Sequence, residues 1–115
     1  MDTPENKRSS TRHVGIAVVT FDANESDGRY GITRNLSEKG LLIATRTRIE
    51  VGERLTLTIR APGVELRAEG HVLRVEKTDP SEPWPFRVAV ALDTPLPAVL
   101  IEASEVLAET FRRPT

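Results

Sequence analysis

Two guanidinium groups open the chemically informative part of this chain: Arg8 and Arg12, in Arg8-Ser9-Ser10-Thr11-Arg12. A second polar cluster, Asn35-Leu36-Ser37-Glu38-Lys39-Gly40, precedes the apolar run Leu41-Leu42-Ile43-Ala44. A guanidinium fork donates to two acceptors at once, so it suits a phosphate or the O6/N7 edge of guanine. The Asn35 amide oxygen can accept from guanine N–H groups, and the Ser37 hydroxyl can donate or accept. Gly40 permits a positive φ or the close approach of another backbone. Together these groups describe a site for a small anionic ligand that carries guanine edges. Separately, each has a plainer explanation: a solvated charge run for the arginines, and a polar turn for Asn35 to Gly40.

The composition narrows what else the chain can do. Its 115 residues suffice for one domain with its own core. The formal net charge of −1 supplies no global field toward nucleic acid or an anionic membrane, so a bound anion must be held by local cations. Aromatic residues make up only 4%, too few for the stacking groove of a single-strand binder, and no nucleic-acid partner is expected. Cysteine is absent, which removes thiol catalysis, disulfides and thiolate metal sites. His71 has no second His or Cys nearby, and no Ser, His and carboxylate spacing suggests a triad or an acid/base pair. Neither a metal, a cofactor nor catalysis is expected. The polar start from Met1 to Lys7 and the lack of a long apolar segment predict no signal peptide and no membrane span, hence a cytoplasmic protein.

The elements that must position these groups follow from periodicity. Residues 1–13 are polar and aperiodic, which reads as a mobile arm. Val14, Ile16 and Val18 alternate with Gly15 and Ala17, with a change of phase before Val19 and Phe21. Asp22 to Gly28 reads as a polar turn or loop, and Tyr30 to Arg34 as a short strand. Arg54 to Arg60 is the cleanest strand, with Leu55, Leu57 and Ile59 on one side. Val64 to about Glu76 is a second long strand whose alternation breaks at Leu73 and Val75, with Gly70 as the expected bend or bulge. Thr78 to Pro83 is a loop, and Phe86, Val88, Val90 and Leu92 form one face of a last strand. Leu96, Val99, Leu100, Ala103, Val106, Leu107 and Phe111 then recur at helical spacing, with Thr94-Pro95 as the start signal. Short strands at regular spacing followed by one amphipathic helix predict a mainly β fold: an antiparallel barrel or sandwich with a docked helix.

The two clusters in this order, R-x-x-x-R then N-x-S-x-x-G, resemble the PilZ family of bacterial cyclic di-GMP receptors. The similarity runs from about residue 8 to residue 93 and includes Val51-Gly52-Glu53, Val72-Leu73-Arg74-Val75 and Arg87-Val88-Ala89-Val90-Ala91-Leu92. It implies a six-stranded antiparallel β-barrel with a C-terminal amphipathic helix. The implied divisions are an arm over 1–13, a barrel over 14–93 and a helix over 94–113. It also implies that cyclic di-GMP is the ligand, bound by Arg8, Arg12, Asn35, Ser37 and Gly40, with Lys7, His13 and Arg74 as secondary candidates. The expected activity is that of a non-enzymatic receptor. Its arm folds over the barrel on binding, and its changed surface is read by a downstream protein; a monomer or weak homodimer suffices. The alternative is a PilZ-like adaptor that works through protein contacts without the nucleotide. Asn35 stands where the family more often has Asp, which removes a charge-assisted contact.

Overall fold

The computed structural model describes residues 13–23, 26–79 and 81–112. Seven strands precede one helix: β1 (His13–Val14), β2 (Val18–Ala23), β3 (Ser26–Leu36), β4 (Gly40–Thr45), β5 (Arg54–Ala61), β6 (Val64–Lys77), β7 (Phe86–Leu92) and α1 (Ala98–Arg112). Antiparallel pairing runs β3-β2-β5-β6-β7-β4, and β4 pairs back onto β3. Six strands therefore close into a barrel with one C-terminal helix. Closure removes the unpaired edges that an open sheet would expose.

β5 shows why the barrel forms. Leu55, Leu57 and Ile59 are buried, while Thr56 and Thr58 between them are only half-buried. The same alternation places Val19 and Phe21 of β2, Ile43 of β4, Val72 of β6, and Val88 and Val90 of β7 in the core. β3 is longer than the short strand expected from Tyr30 to Arg34, because it extends through the presumed loop to Ser26 and onward to Leu36.

The first strand pair departs from the expected phase. Val14 and Val18 face solvent, and Ala17, Val19 and Phe21 face the core. The odd-numbered positions 15, 17, 19 and 21 are buried throughout, with no change of phase, and the ladder itself is interrupted at residues 15–17. There the Thr33 hydroxyl accepts from Ala17 N–H (2.9 Å) and donates to the Gly15 carbonyl (2.9 Å). Ile16 N–H meanwhile donates to the Ser104 carbonyl of α1 (3.0 Å). This clamp leaves no room at residue 15 for a side chain, since a Cβ there would collide with Ser104 Oγ and press on Leu36.

The helix also differs in two ways. It begins at Ala98 rather than at Pro95, behind Pro97, whose carbonyl accepts from Leu100 and Ile101 N–H. Thr94 cannot cap it because Leu96 N–H is already held by the Glu38 carbonyl (2.8 Å) in the connector. Its buried face is Leu100, Ile101, Ser104 and Ala108, not the full expected stripe; Val99, Val106 and Phe111 are exposed. Ser104 is tolerated inside because its hydroxyl donates to the Ile101 carbonyl (2.6 Å).

Candidate functional site

The wall around Asn35 is built by two bulges. On β3 the register with β4 shifts between Thr33 and Asn35, so Arg34 is an extra residue. On β6 the register with β7 shifts between Val72 and Arg74, so Leu73 is extra. The expected bend at Gly70 is instead a close approach, with no room for a Cβ beside the Ala91 carbonyl. A bulge turns the residues that follow it relative to the ladder.

The resulting register aligns one row of side chains. Val14 of β1 pairs with Asn35 of β3, Asn35 with Leu42 of β4, Leu42 with Ala89 of β7, and Ala89 with Arg74 of β6. Directly paired residues share a sheet face. The adjacent row, Leu36, Leu41, Val90 and Val72, is buried in the core, so the first row faces outward. Strands lie about 4.8 Å apart, which sets Asn35 and Arg74 on the order of 14 Å from each other around the wall. Between them Leu42 and Ala89 form a half-buried apolar floor, with exposed Leu73 beside it. A cleft of about 170 Å³ runs along this row and includes Ser37 and Gly40.

Backbone hydrogen bonds tie down the Asn35–Gly40 turn. Ser37 N–H donates to the Gly40 carbonyl (2.9 Å). The Glu38 and Lys39 carbonyls accept from Leu96 and Leu92 N–H, tying the turn to the chain entering α1. Gly40 has no positive φ; its use is close approach, since a Cβ would sit 2.7 Å from the Val90 carbonyl oxygen. The Ser37 hydroxyl reaches the Gly40 carbonyl only at 3.4 Å, a long contact that a better acceptor would displace. Arg74 is exposed and its Nε lies 3.3 Å from Glu76 Oε2. Such a surface pair is worth about 0–1 kcal/mol, so the guanidinium is available to a stronger anion.

Of the residues singled out from sequence, Asn35, Ser37, Gly40 and Arg74 line this single cleft. Lys7, Arg8 and Arg12 lie outside the described residues, and of His13 only the backbone is described, opposite Leu36. Sequence reasoning missed Leu42 and Ala89, which become neighbours of Asn35 only through pairing across the barrel. Among the described residues no group of three or more His, Cys, Asp or Glu side chains is placed to hold a metal ion.

The PilZ domain family model matches residues 6–105. No curated protein matches the chain by sequence. Among solved structures, the inhibitor of motility MotI/DgrA of Bacillus subtilis is similar over 94% of this chain with a TM-score of 0.64 and 18% identity. The chain covers 54% of that protein, about half its length. A family match that spans both polar clusters and all seven strands leaves one assignment: the chain belongs to the PilZ domain family.

Proposed function

We propose that this protein is a non-enzymatic receptor for cyclic di-GMP, held on the outer wall between β1 and β6. The observation that supports it most is the row Val14–Asn35–Leu42–Ala89–Arg74. It offers an amide at one side, a guanidinium at the other and an apolar floor of base width between them. The chain that carries Arg8 and Arg12 enters this wall through β1, which pairs with β3 at Asn35 and Leu36. In this reading Asn35 and Ser37 hold a guanine edge, the Leu42 and Ala89 surface supports the ring, and Gly40 keeps the turn close to β7. Arg8 and Arg12 close over the dinucleotide, pairing with phosphate or the Hoogsteen edge. Lys7 and Arg74 add further cationic contacts, and His13, next to Arg12 in sequence, reaches a ligand phosphate. Residues 1–13 act as the closing arm, 14–93 as the barrel, and the following helix lies where a cytoplasmic partner protein can sense the change. Fixing the arm costs about 1–2 kcal/mol per residue, which the charge-assisted contacts must exceed.

Calorimetric titration of the full chain with cyclic di-GMP tests this. Saturable binding is expected, weakened about 10- to 100-fold by Arg8→Ala or Arg12→Ala. A folded protein that gives no heat at tens of micromolar ligand would remove the claim.

One observation favours a second reading, an adaptor without nucleotide. Gly40 has a full structural use against Val90, and the Ser37 backbone closes the turn, so neither residue requires a ligand to explain it. An adaptor would keep its partner binding when Arg8 and Arg12 are both replaced by Ala.

A further inference from the structure

At the far end of β3 from Asn35, the barrel carries a second polar surface with a different character. Gly31 pairs with Thr45, and the Thr45 hydroxyl donates to the Tyr30 carbonyl (2.9 Å), so Arg29 and Tyr30 adjoin Arg46 and Arg48. Thr45 also pairs with Phe86 of β7, which brings in Trp84. Tyr30 and Trp84 meet edge to face, with centroids 5.7 Å apart and planes at 76°. They are the chain's only Tyr and only Trp, and they share an open pocket of about 500 Å³ with Arg29, Arg46 and Arg48. Tyr30 is 58% exposed. Among the described residues Arg29 and Arg46 have no ion-pair partner, and Arg48 has only a 3.7 Å contact to exposed Glu50. Trp, Tyr and Arg are the residues that dominate binding energy at protein interfaces.

The helix offers the complement. Val99, Glu102, Val106 and Glu109 are spaced three, four and three apart, which aligns them on one side of α1. All four are exposed, Val99 at 56% and Val106 at 63%. This outer stripe is acidic and apolar, while the pocket is basic and aromatic. The two cannot meet within one molecule. α1 is clamped beside Gly15, Ile16 and Leu36, whereas Tyr30 lies six residues along β3 from Leu36, on the order of 20 Å away.

We propose that the pocket of Arg29, Tyr30, Arg46, Arg48 and Trp84 receives the outer stripe of α1 from a second copy of this chain, in a head-to-tail contact. The two surfaces differ, so the contact is heterologous and a bound pair leaves one pocket and one stripe open between its two copies. Contact through one helix face and one pocket lies at the small end of interface sizes, where association is weak and salt-sensitive. The inference uses none of the cyclic di-GMP site residues, so failure of one reading leaves the other standing.

Sedimentation equilibrium of the full chain, followed alongside Trp84 emission, is the test. In about 20 mM salt the weight-average mass should rise with concentration, with a blue shift of Trp84; about 500 mM salt should return it to the monomer. Arg46→Ala with Arg48→Ala should give a monomer, and so should Glu102→Gln with Glu109→Gln. Mixed in equal amounts, these two variants should form a 1:1 dimer and nothing larger, because each caps the other. If the alanine pair is not folded by circular dichroism, Arg46→Gln with Arg48→Gln takes its place. A wild-type chain that stays monomeric overturns the proposal and leaves the pocket to an acidic segment of another protein. Association that survives either variant pair, or a mixture that stays monomeric, overturns it equally.

Discussion

The two ends of β3 carry polar residues for opposite reasons. At the Asn35–Gly40 end, the fold itself accounts for the backbone: the turn carbonyls accept from Leu92 and Leu96 N–H, and Gly40 fits against Val90. What remains outward is a short row of side chains held at fixed spacing by two bulges. At the Tyr30–Trp84 end, the fold accounts for little: the arginines there reach no strong partner among the described residues, and an aromatic pair stands at the surface. A rigid ledge suits precise recognition of a small ligand, whereas an open basic and aromatic surface suits a protein partner. A turn whose backbone the fold already holds and a patch of cationic and aromatic side chains that it leaves over therefore point to different kinds of binding.

The contrast between the two ends should fade most when the rigid end is loosened. Thr33→Val keeps the shape of the side chain but leaves Ala17 N–H and the Gly15 carbonyl buried without partners. At about 1–3 kcal/mol for each abandoned group, a loss of about 3 kcal/mol is expected in chemical denaturation. The effect should reach the ligand, since residues 15–17 connect β1 to the helix. Gly40→Ala comes next. Its Cβ would press on backbone rather than on a flexible side chain, and about 1–3 kcal/mol of destabilisation follows.

Asn35→Ala sharpens the distinction, because it should alter binding rather than folding. Asn35 is half-buried, and no hydrogen bond to its side chain appears among the described residues. Its removal should weaken cyclic di-GMP about 10-fold, the worth of one specific base contact, with the denaturation midpoint nearly unchanged. The same substitution should leave the Trp84 emission of the free protein as it is.

The smallest effect belongs to the other end. Asp79 accepts from Ser81 N–H (2.9 Å) and from the Ser81 hydroxyl (3.0 Å), shaping the loop that presents Trp84. The backbone bond first, and the hydroxyl second, hold its carboxyl below the ordinary value of 3.8. A lowered folded-state pKa means the contact is complete above the ordinary value and is lost as pH falls through the lowered one. Acid titration should therefore shift Trp84 emission only below about pH 4, and Asp79→Ala should remove that step with no measurable change in overall stability.

Where the hydrophobic pattern had one meaning, the sequence could be read directly. β5 and β7 bury one face, so strict alternation identified both strands and their inner residues. The helix was evident, but its phase was not, because α1 has apolar residues on two sides and buries a serine. Ser104 reads as a surface residue until its hydroxyl and carbonyl are seen to be occupied by Ile101 and Ile16. The break at residues 15–17 was equally silent, since it depends on Thr33, sixteen residues away. At the candidate site, Asn35, Ser37 and Gly40 were legible as a motif. Leu42 and Ala89 were not, because only barrel closure makes them neighbours. Arg29, Tyr30, Arg46, Arg48 and Trp84 likewise look like separate surface residues until β3, β4 and β7 pair.

Binding of cyclic di-GMP to the outer row on β3, β4, β7 and β6 can be followed by titrating ¹⁵N-labelled protein with the nucleotide and recording the amide resonances. Saturable shifts are expected at Val14, Asn35, Leu42, Ala89 and Arg74, with Tyr30, Arg46 and Trp84 unmoved. Shifts confined to Tyr30, Arg46 and Trp84, or no shifts at saturating ligand, would contradict binding at that row.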